Sequence, residues 1–262
     1  MSKRWKLLST TALTPIVMLM GGGIALAQAP AVSAPNMTLG GFGGVWDSSG
    51  FGAAEGRWTA PLGPSVGGQI DGVLGTAGGQ LFGELAGHYF WRDPATSLFG
   101  VYSAWTQDFS GSTFRIGPEA EFYANQFTFS GVAGVKTGNG GSNFFGQAKG
   151  NLYLTDDTKV FLGAGYDDTG FVSAGIEHLF RPAGLSAFGE IRAGDGSSAV
   201  WGGLRFYFGG PGMPDKSLKA REREDVAPLW LWVNDKQTST STSTSTSTST
   251  TTSTSPSTTL GT

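Results

Sequence analysis

Ala199-Val200-Trp201-Gly202-Gly203-Leu204-Arg205-Phe206-Tyr207-Phe208 is the stretch whose reading decides the fold. Val200, Leu204, Phe206 and Phe208 share one parity, and Trp201, Arg205 and Tyr207 share the other. Successive side chains of a β-strand point to opposite faces, so one face is apolar and the other carries a charge. Ten residues is also about the length a strand tilted near 45° needs to cross a hydrocarbon core.

Toward the N-terminus the same reading repeats. Strands are expected at Phe51–Ala60, Val66–Leu74, Gln80–Trp91, Ser97–Thr106, Ser112–Tyr123, Gln126–Lys136, Asn143–Leu154, Lys159–Tyr166, Phe171–Phe180 and Leu185–Ala193, besides the closing one. A weaker, Gly-rich candidate is Leu39–Trp46. Aromatic residues end alternate strands: Trp58, Trp91, Tyr123, Tyr153, Phe180 and Phe208, at gaps of 33, 32, 30, 27 and 28 residues. That is the length of one long hairpin, and it predicts an aromatic belt at a membrane interface. The turns alternate as well. One set is small and Gly/Ser/Asp-rich; the other carries Pro and charge and follows the aromatic marks.

The expected fold is all-β, an up-and-down antiparallel transmembrane barrel. Bacterial single-chain barrels close with an even number of strands, so the weak strand is accepted and the count is twelve, with ten the runner-up. The aromatic-marked turns are expected on the periplasmic side.

Parity places nearly every strand charge inside: Glu55, Arg57, Asp71, Glu84, Arg115, Glu119, Glu121, Lys149, Lys159, Glu177, Glu190, Arg192 and Arg205. A lipid-facing Arg or Lys at the midplane costs ~2–4 kcal/mol, which gives the segregation its physical sense. These residues are candidates to line a lumen, either as a charged constriction that selects solutes or as a salt-bridged filling that closes it. Folding back the last hairpins brings Glu177 and Arg205 to similar depth beside Phe188. Phe161, Phe188, Trp201 and Tyr207 on the same face favour a narrow or closed passage.

The ends read differently. Lys3, Arg4 and Lys6 precede an apolar stretch to Leu26, and Ala25-Leu26-Ala27 suits a signal peptidase. Residues 1–27 are therefore expected to be a signal peptide, the alternative being a retained anchor, and 28–37 a flexible lead. The barrel is expected over 38–209, a short periplasmic extension over 210–236 with one short helix within Asp215–Asp225, and a disordered Ser/Thr tail over 237–262.

Composition excludes much else. The chain has 43 Gly and 12% aromatic residues but only 14% charged ones, a poor recipe for helices. With Cys 0 there is no disulfide and no thiolate nucleophile or metal ligand. The formal charge of −3 becomes −6 once the three cations of the signal are removed, and no basic patch remains, so nucleic acid is not an expected partner. Two histidines, His88 and His178, are read as interface residues without a Ser partner; no catalytic residue, cofactor or metal site is expected.

Gly203-Leu204-Arg205-Phe206-Tyr207-Phe208 resembles the closing strand of Gram-negative outer-membrane β-barrels, porins included. Gly83–Trp91 and Gly163–Tyr166 have the same Gly-spaced, aromatic-ended character. The resemblance covers about residues 39–209 and is one of class. In that class the closing aromatic sits at the chain terminus, whereas here 54 residues follow (262 − 208). It implies an outer-membrane location, contact with outer-membrane lipid and the barrel assembly machinery, and a porin-like passive channel for small polar solutes. Alternatives are a closed structural barrel that tethers its periplasmic extension to the envelope or a partner, and a secreted soluble β-protein.

Overall fold

The structure, a computed structural model, describes residues 29–109, 111–138, 141–195, 197–209 and 215–226. The expected signal peptide, the Ser/Thr tail and residues 227–236 of the extension lie outside the described residues.

Twelve strands form one closed antiparallel barrel: β1 (Asn36–Trp46), β2 (Ser49–Pro61), β3 (Val66–Ala77), β4 (Gln80–Asp93), β5 (Ser97–Asp108), β6 (Gly111–Ala124), β7 (Phe127–Gly138), β8 (Gly141–Thr155), β9 (Thr158–Asp167), β10 (Thr169–Phe180), β11 (Leu185–Gly194) and β12 (Ser197–Gly209). Each pairs with its neighbours in sequence, and β1 closes on β12. The single α-helix among the described residues, α1 (Leu218–Glu222), falls in the expected charged stretch and is capped by Ser217, whose side chain accepts from the Ala220 N–H.

The weak first strand is a full member. It pairs with β12 from Asn36↔Gly209 to Trp46↔Ala199 and with β2 from Asn36↔Thr59 to Trp46↔Ser49. Ladder bonds belong to the backbone, so poverty of side chains does not prevent pairing, and closure leaves no edge in lipid. The glycine is required: a Cβ on Gly44 would stand 2.0 Å from the Val200 carbonyl oxygen.

Strands run 10 to 15 residues. At the rim away from the chain termini the turns are tighter than the sequence suggested. Asp47 and Ser48 have φ of 45° and 75°, and Gly78 and Gly79 have 56° and 80°, the paired left-handed values of two-residue hairpin turns. The opposite rim carries Leu62–Ser65, Pro94–Thr96, Asn125-Gln126, Asp156-Asp157 and a 3₁₀ turn at Arg181–Ala183.

The barrel is inverted relative to a soluble sandwich. Its outer face exposes Phe144, Leu162 and Leu74 at 72%, 71% and 65%, while Arg115, Asp71 and Glu177 are buried at 0–2%. Such a continuous exposed apolar face is matched to lipid. Trp58, Trp91, Phe180 and Phe208 stand outward near the rim of the termini. Tyr123 and Tyr153 do not, which corrects the expected six-member belt. They are 8% and 1% exposed and point inward, because Tyr123 shares the parity of Glu119 and Glu121, and Tyr153 that of Lys149. Inside, their hydroxyls find carboxylates that lipid would not supply: Tyr123 donates to Glu121 at 2.7 Å and Tyr153 to Glu222 at 2.6 Å.

Candidate functional site in the barrel interior

The inward positions make three polar clusters. In the first, β10 presents Glu177 to three neighbours. Its carboxylate accepts from Ser186 Oγ on β11 at 2.6 Å, Tyr207 Oη on β12 at 3.0 Å and Arg205 Nη1 at 2.9 Å, with Lys159 Nζ of β9 at 3.3 Å. Arg205 also donates to Glu55 of β2 at 2.6 Å, across the β1 seam, and its guanidinium lies 3.7 Å from the Phe188 ring centroid. β1 supplies only Gly40 at this height, where a Cβ would meet Glu55 Oε1 at 2.8 Å. The seam strand thus gives room for an Arg to reach over it.

The second cluster centres on His88 of β4. Its Nδ1 is 2.7 Å from Glu119 Oε2 and its Nε2 is 3.3 Å from Asp71 Oδ2. Asp71 in turn takes Gln69 Nε2 at 2.8 Å and faces Arg57 at 3.8 Å. This corrects the interface reading of His88: the ring is 5% exposed, inside the barrel, held between two carboxylates. His178 is outward, with Nδ1 2.8 Å from Thr158 Oγ1 and its ring edge-on to Phe180.

The third cluster lies toward the far rim. Arg115 donates to Asp167 at 2.6 Å and to Thr106 Oγ1 at 2.8 Å, and Thr106 donates to Glu84 at 2.9 Å. Lys136 reaches Asp167 at 2.8 Å and also bonds Asp168. Beside them Arg192 meets Glu190 at 3.2 Å and stacks near Phe171 and Trp201. Lys149 sits over Phe161, 4.5 Å from the ring centroid, and Glu121 faces Arg92 at 3.7 Å.

All thirteen lumen candidates named from parity therefore have inward side chains. Some of their partners come from outside that set, notably Asp167 for Arg115, Arg92 for Glu121, and His88 for Asp71 and Glu119. Asp167 and Arg92 were read as turn residues; the strands extend past them, and simple continuation of parity would have found both.

Aromatic rings line the far end. Phe42, Trp46, Phe51, Phe82 and Trp201 form one buried cluster. Inward glycines let rings lie along the wall: a Cβ on Gly75 would be 2.5 Å from Phe82, on Gly165 2.4 Å from Phe171, and on Gly175 2.3 Å from Phe161.

At the near rim the interior is closed by the segment 215–226, which sequence had made a periplasmic extension. Leu218, 0% exposed, packs with Leu179 and Tyr207; Val226 packs with Phe90, Leu98, Tyr123 and Val32 of the N-terminal lead. Gln69 brackets Val226, accepting from its N–H at 2.7 Å and donating to its C=O at 2.8 Å. Arg92 donates to the Asp225 carbonyl at 2.9 Å, Arg57 lies 3.6 Å from the Asp225 carboxylate, and Lys159 pairs with Glu222. The Leu218 N–H donates to Asp157 at 3.3 Å and Lys219 pairs with Asp156 at 2.6 Å. The lead is tied in too, with Ala31 and Val32 buried and Ser33 donating to Glu224 at 2.8 Å.

Burial pushes the Asp225 carboxyl above its ordinary value, and Arg57 and Arg92 only partly oppose this. For Asp157, burial raises the value but is outweighed by Arg181 and the Leu218 N–H, so it lies below the ordinary carboxylate range. Among the described residues no group of three or more His, Asp or Glu is arranged to hold a metal.

No protein-family model matches the chain, and no curated protein matches it. Solved structures are similar. The KdgM porin superposes with a TM-score of 0.55 at 7% identity, over 66% of this chain and 99% of that one. The chain has the barrel fold of an outer-membrane porin. The same porin in complex with disordered oligogalacturonate gives 0.54 at 7% identity over 66% and 99%. The NanC porin gives 0.50 at 9% identity over 64% and 98%. The likeness is one of porin fold.

Proposed function

We propose that the protein is an outer-membrane, porin-like barrel that passes small polar solutes, exported by its N-terminal signal and inserted into outer-membrane lipid by the barrel assembly machinery. One observation carries this reading: the interior is lined by acidic and basic side chains, while the surrounding face is apolar. A barrel meant only to be filled needs no such cost, because apolar side chains of the same size close a lumen without desolvating charge. The lumen-lining set Glu55, Arg57, Asp71, Glu84, Arg115, Glu119, Glu121, Lys149, Lys159, Glu177, Glu190, Arg192 and Arg205 would give weak selectivity, since acids and bases are interleaved. The outward Trp58, Trp91, Phe180 and Phe208 would set the depth of the barrel in the interface.

A second reading, a closed structural barrel that tethers its extension, is favoured by the density of the filling. Arg115, Tyr102, Tyr153 and Phe90 are each 0–1% exposed although they project into the interior. Uptake into proteoliposomes separates the two. The channel reading expects entry of small neutral and singly charged solutes and exclusion of larger ones. Absence of any uptake, in the native chain and in Glu177→Ala/Arg205→Ala alike, would favour the closed barrel.

A further inference from the structure

We propose that residues 215–226 are an autoinhibitory plug, a segment that closes the terminal-side mouth by docking and opens it by leaving. This rests on the channel reading above and adds the part of the molecule that controls it.

The plug differs in kind from the side chains that line the described barrel wall. The three charge clusters consist of side chains, many on long flexible stems, and rotamer changes are fast and cheap relative to backbone displacement. The rings lie along the wall, pressed against glycine. Residues 215–226 instead bring backbone into the mouth: Val226 is held through its own N–H and C=O, and Arg92 grips the Asp225 carbonyl. No rearrangement of side chains clears that obstacle. The segment has to go.

It is also built to go. It adds no strand to the barrel, and its helix α1 has five residues, too few to be stable alone. Two apolar anchors hold it, Leu218 and Val226, eight positions apart at either side of the mouth. The rest of the contact is polar and incompletely satisfied. Arg57 Nε, Arg92 Nε and Nη1, Asp225 Oδ1 and Arg223 Nε are buried there without a hydrogen-bond partner. Orphaned buried polar atoms are costly, and undocking would return them to water. When it leaves, the barrel charges keep partners of their own: Arg57 has Asp71, Arg92 has Glu121, and Lys159 has Glu177. The mouth is thus electrostatically complete without the plug.

The test compares the full chain with Leu218→Asp/Val226→Asp, which puts a charge into each buried anchor, and with Glu222→Lys, which sets like charges of Lys159 and residue 222 together while leaving the apolar anchors intact. Trypsin access to Lys219, Arg221 and Arg223 reports undocking, and planar-bilayer recording reports passage. Both variants are expected to expose 215–226 to trypsin and to raise open probability about tenfold or more, the scale set by losing buried side-chain contacts. Equal conductance in all three proteins, with 215–226 exposed in the variants, would overturn the plug and leave the channel standing. Silence in all three, again with the segment exposed, would overturn the channel reading and the plug together.

Discussion

The two mouths of this barrel are narrowed by different means. At the far mouth the narrowing is part of the sheet. Two-residue turns such as Asp47-Ser48 and Gly78-Gly79 leave no loop to move, and Phe51, Phe82 and Trp201 rest on the wall. At the near mouth the closure is a twelve-residue segment that lies outside the hydrogen-bonded sheet. Closure built into the ladder shares the stability of the whole barrel, whereas closure by a docked segment has only its own contacts to hold it. The same chain therefore carries one end with a fixed, ring-lined narrowing and one end with a removable closure.

The largest effect is expected where the sheet itself is tight. A Cβ on Gly117 would stand 2.0 Å from the Ala133 carbonyl oxygen, and the β6–β7 register has a gap there, between Ile116↔Val135 and Glu119↔Val132. Gly117→Ala is expected to cost about 3 kcal/mol or more, seen as loss of the compact, heat-modifiable gel band at temperatures where the native chain keeps it. Gly72→Ala, whose Cβ would find its nearest neighbour at 3.9 Å, is the matched control and should leave that band unchanged. If both behaved alike, wall tightness would not distinguish fixed from removable closure.

Next comes the charge network between the two ends. Glu177→Ala leaves Arg205 and Lys159 short of a buried carboxylate and is expected to cost about 3–5 kcal/mol in denaturant unfolding from detergent. Glu177→Gln should recover part of this, because Ser186 and Tyr207 can still donate to its amide oxygen.

At the removable end the expected effects are smaller. Tyr153→Phe deletes the 2.6 Å bond to Glu222 and should weaken docking by about 1 kcal/mol without moving the barrel's unfolding midpoint. Trypsin protection of 215–226 and global unfolding, measured on one sample, would sharpen the contrast. A parallel fall in both would blunt it.

The smallest effect is in pH. Asp157 faces Arg181 and the Leu218 N–H, with His178 nearby, and its carboxyl is held below the ordinary range when the segment is docked. Arg181 keeps its hold on Asp157 in either state, so only the share from the Leu218 N–H is linked to docking; that share is present above the ordinary carboxylate value and is lost as pH falls through the depressed one. Asp157→Asn should remove that acid-side loss of protection, modestly, because the side chain is partly exposed. Asp225, facing Arg57, Arg92, Thr59 and Asp71, has the opposite sign: its raised value adds docking at low pH that is lost as pH rises through it. A protection profile unchanged by Asp157→Asn would remove Asp157 from the docking contact.

Most of the fold was legible because alternation is a property of the backbone. Parity assigned Val200, Leu204, Phe206 and Phe208 to one face and Trp201, Arg205 and Tyr207 to the other from sequence alone, and the even-strand rule rescued β1 despite its glycines. Tyr123 and Tyr153 show where this reading failed. The 30-residue spacing of aromatics was followed in place of parity, although Glu119, Glu121 and Tyr123 stand two residues apart and must share a face. The interior charges were legible as a set but not as pairs, since pairing depends on strand register and on which glycine, such as Gly40, opens a path across the seam. The plug was the least legible. Leu218 and Val226 are two apolar residues in a charged stretch, and only the depth of the mouth, a feature of the closed barrel, gives them somewhere to go.

The most direct measurement uses the absence of native cysteine. Lys219 N–H donates to the Asp156 carbonyl at 3.0 Å, so Asp156→Cys/Lys219→Cys can tie the segment to the rim. Recorded in one bilayer before and after reductant, the tied protein should be silent and then show discrete conductance steps. Steps of full size before reduction, with the disulfide intact, or silence after it, would contradict a porin-like barrel with one removable end.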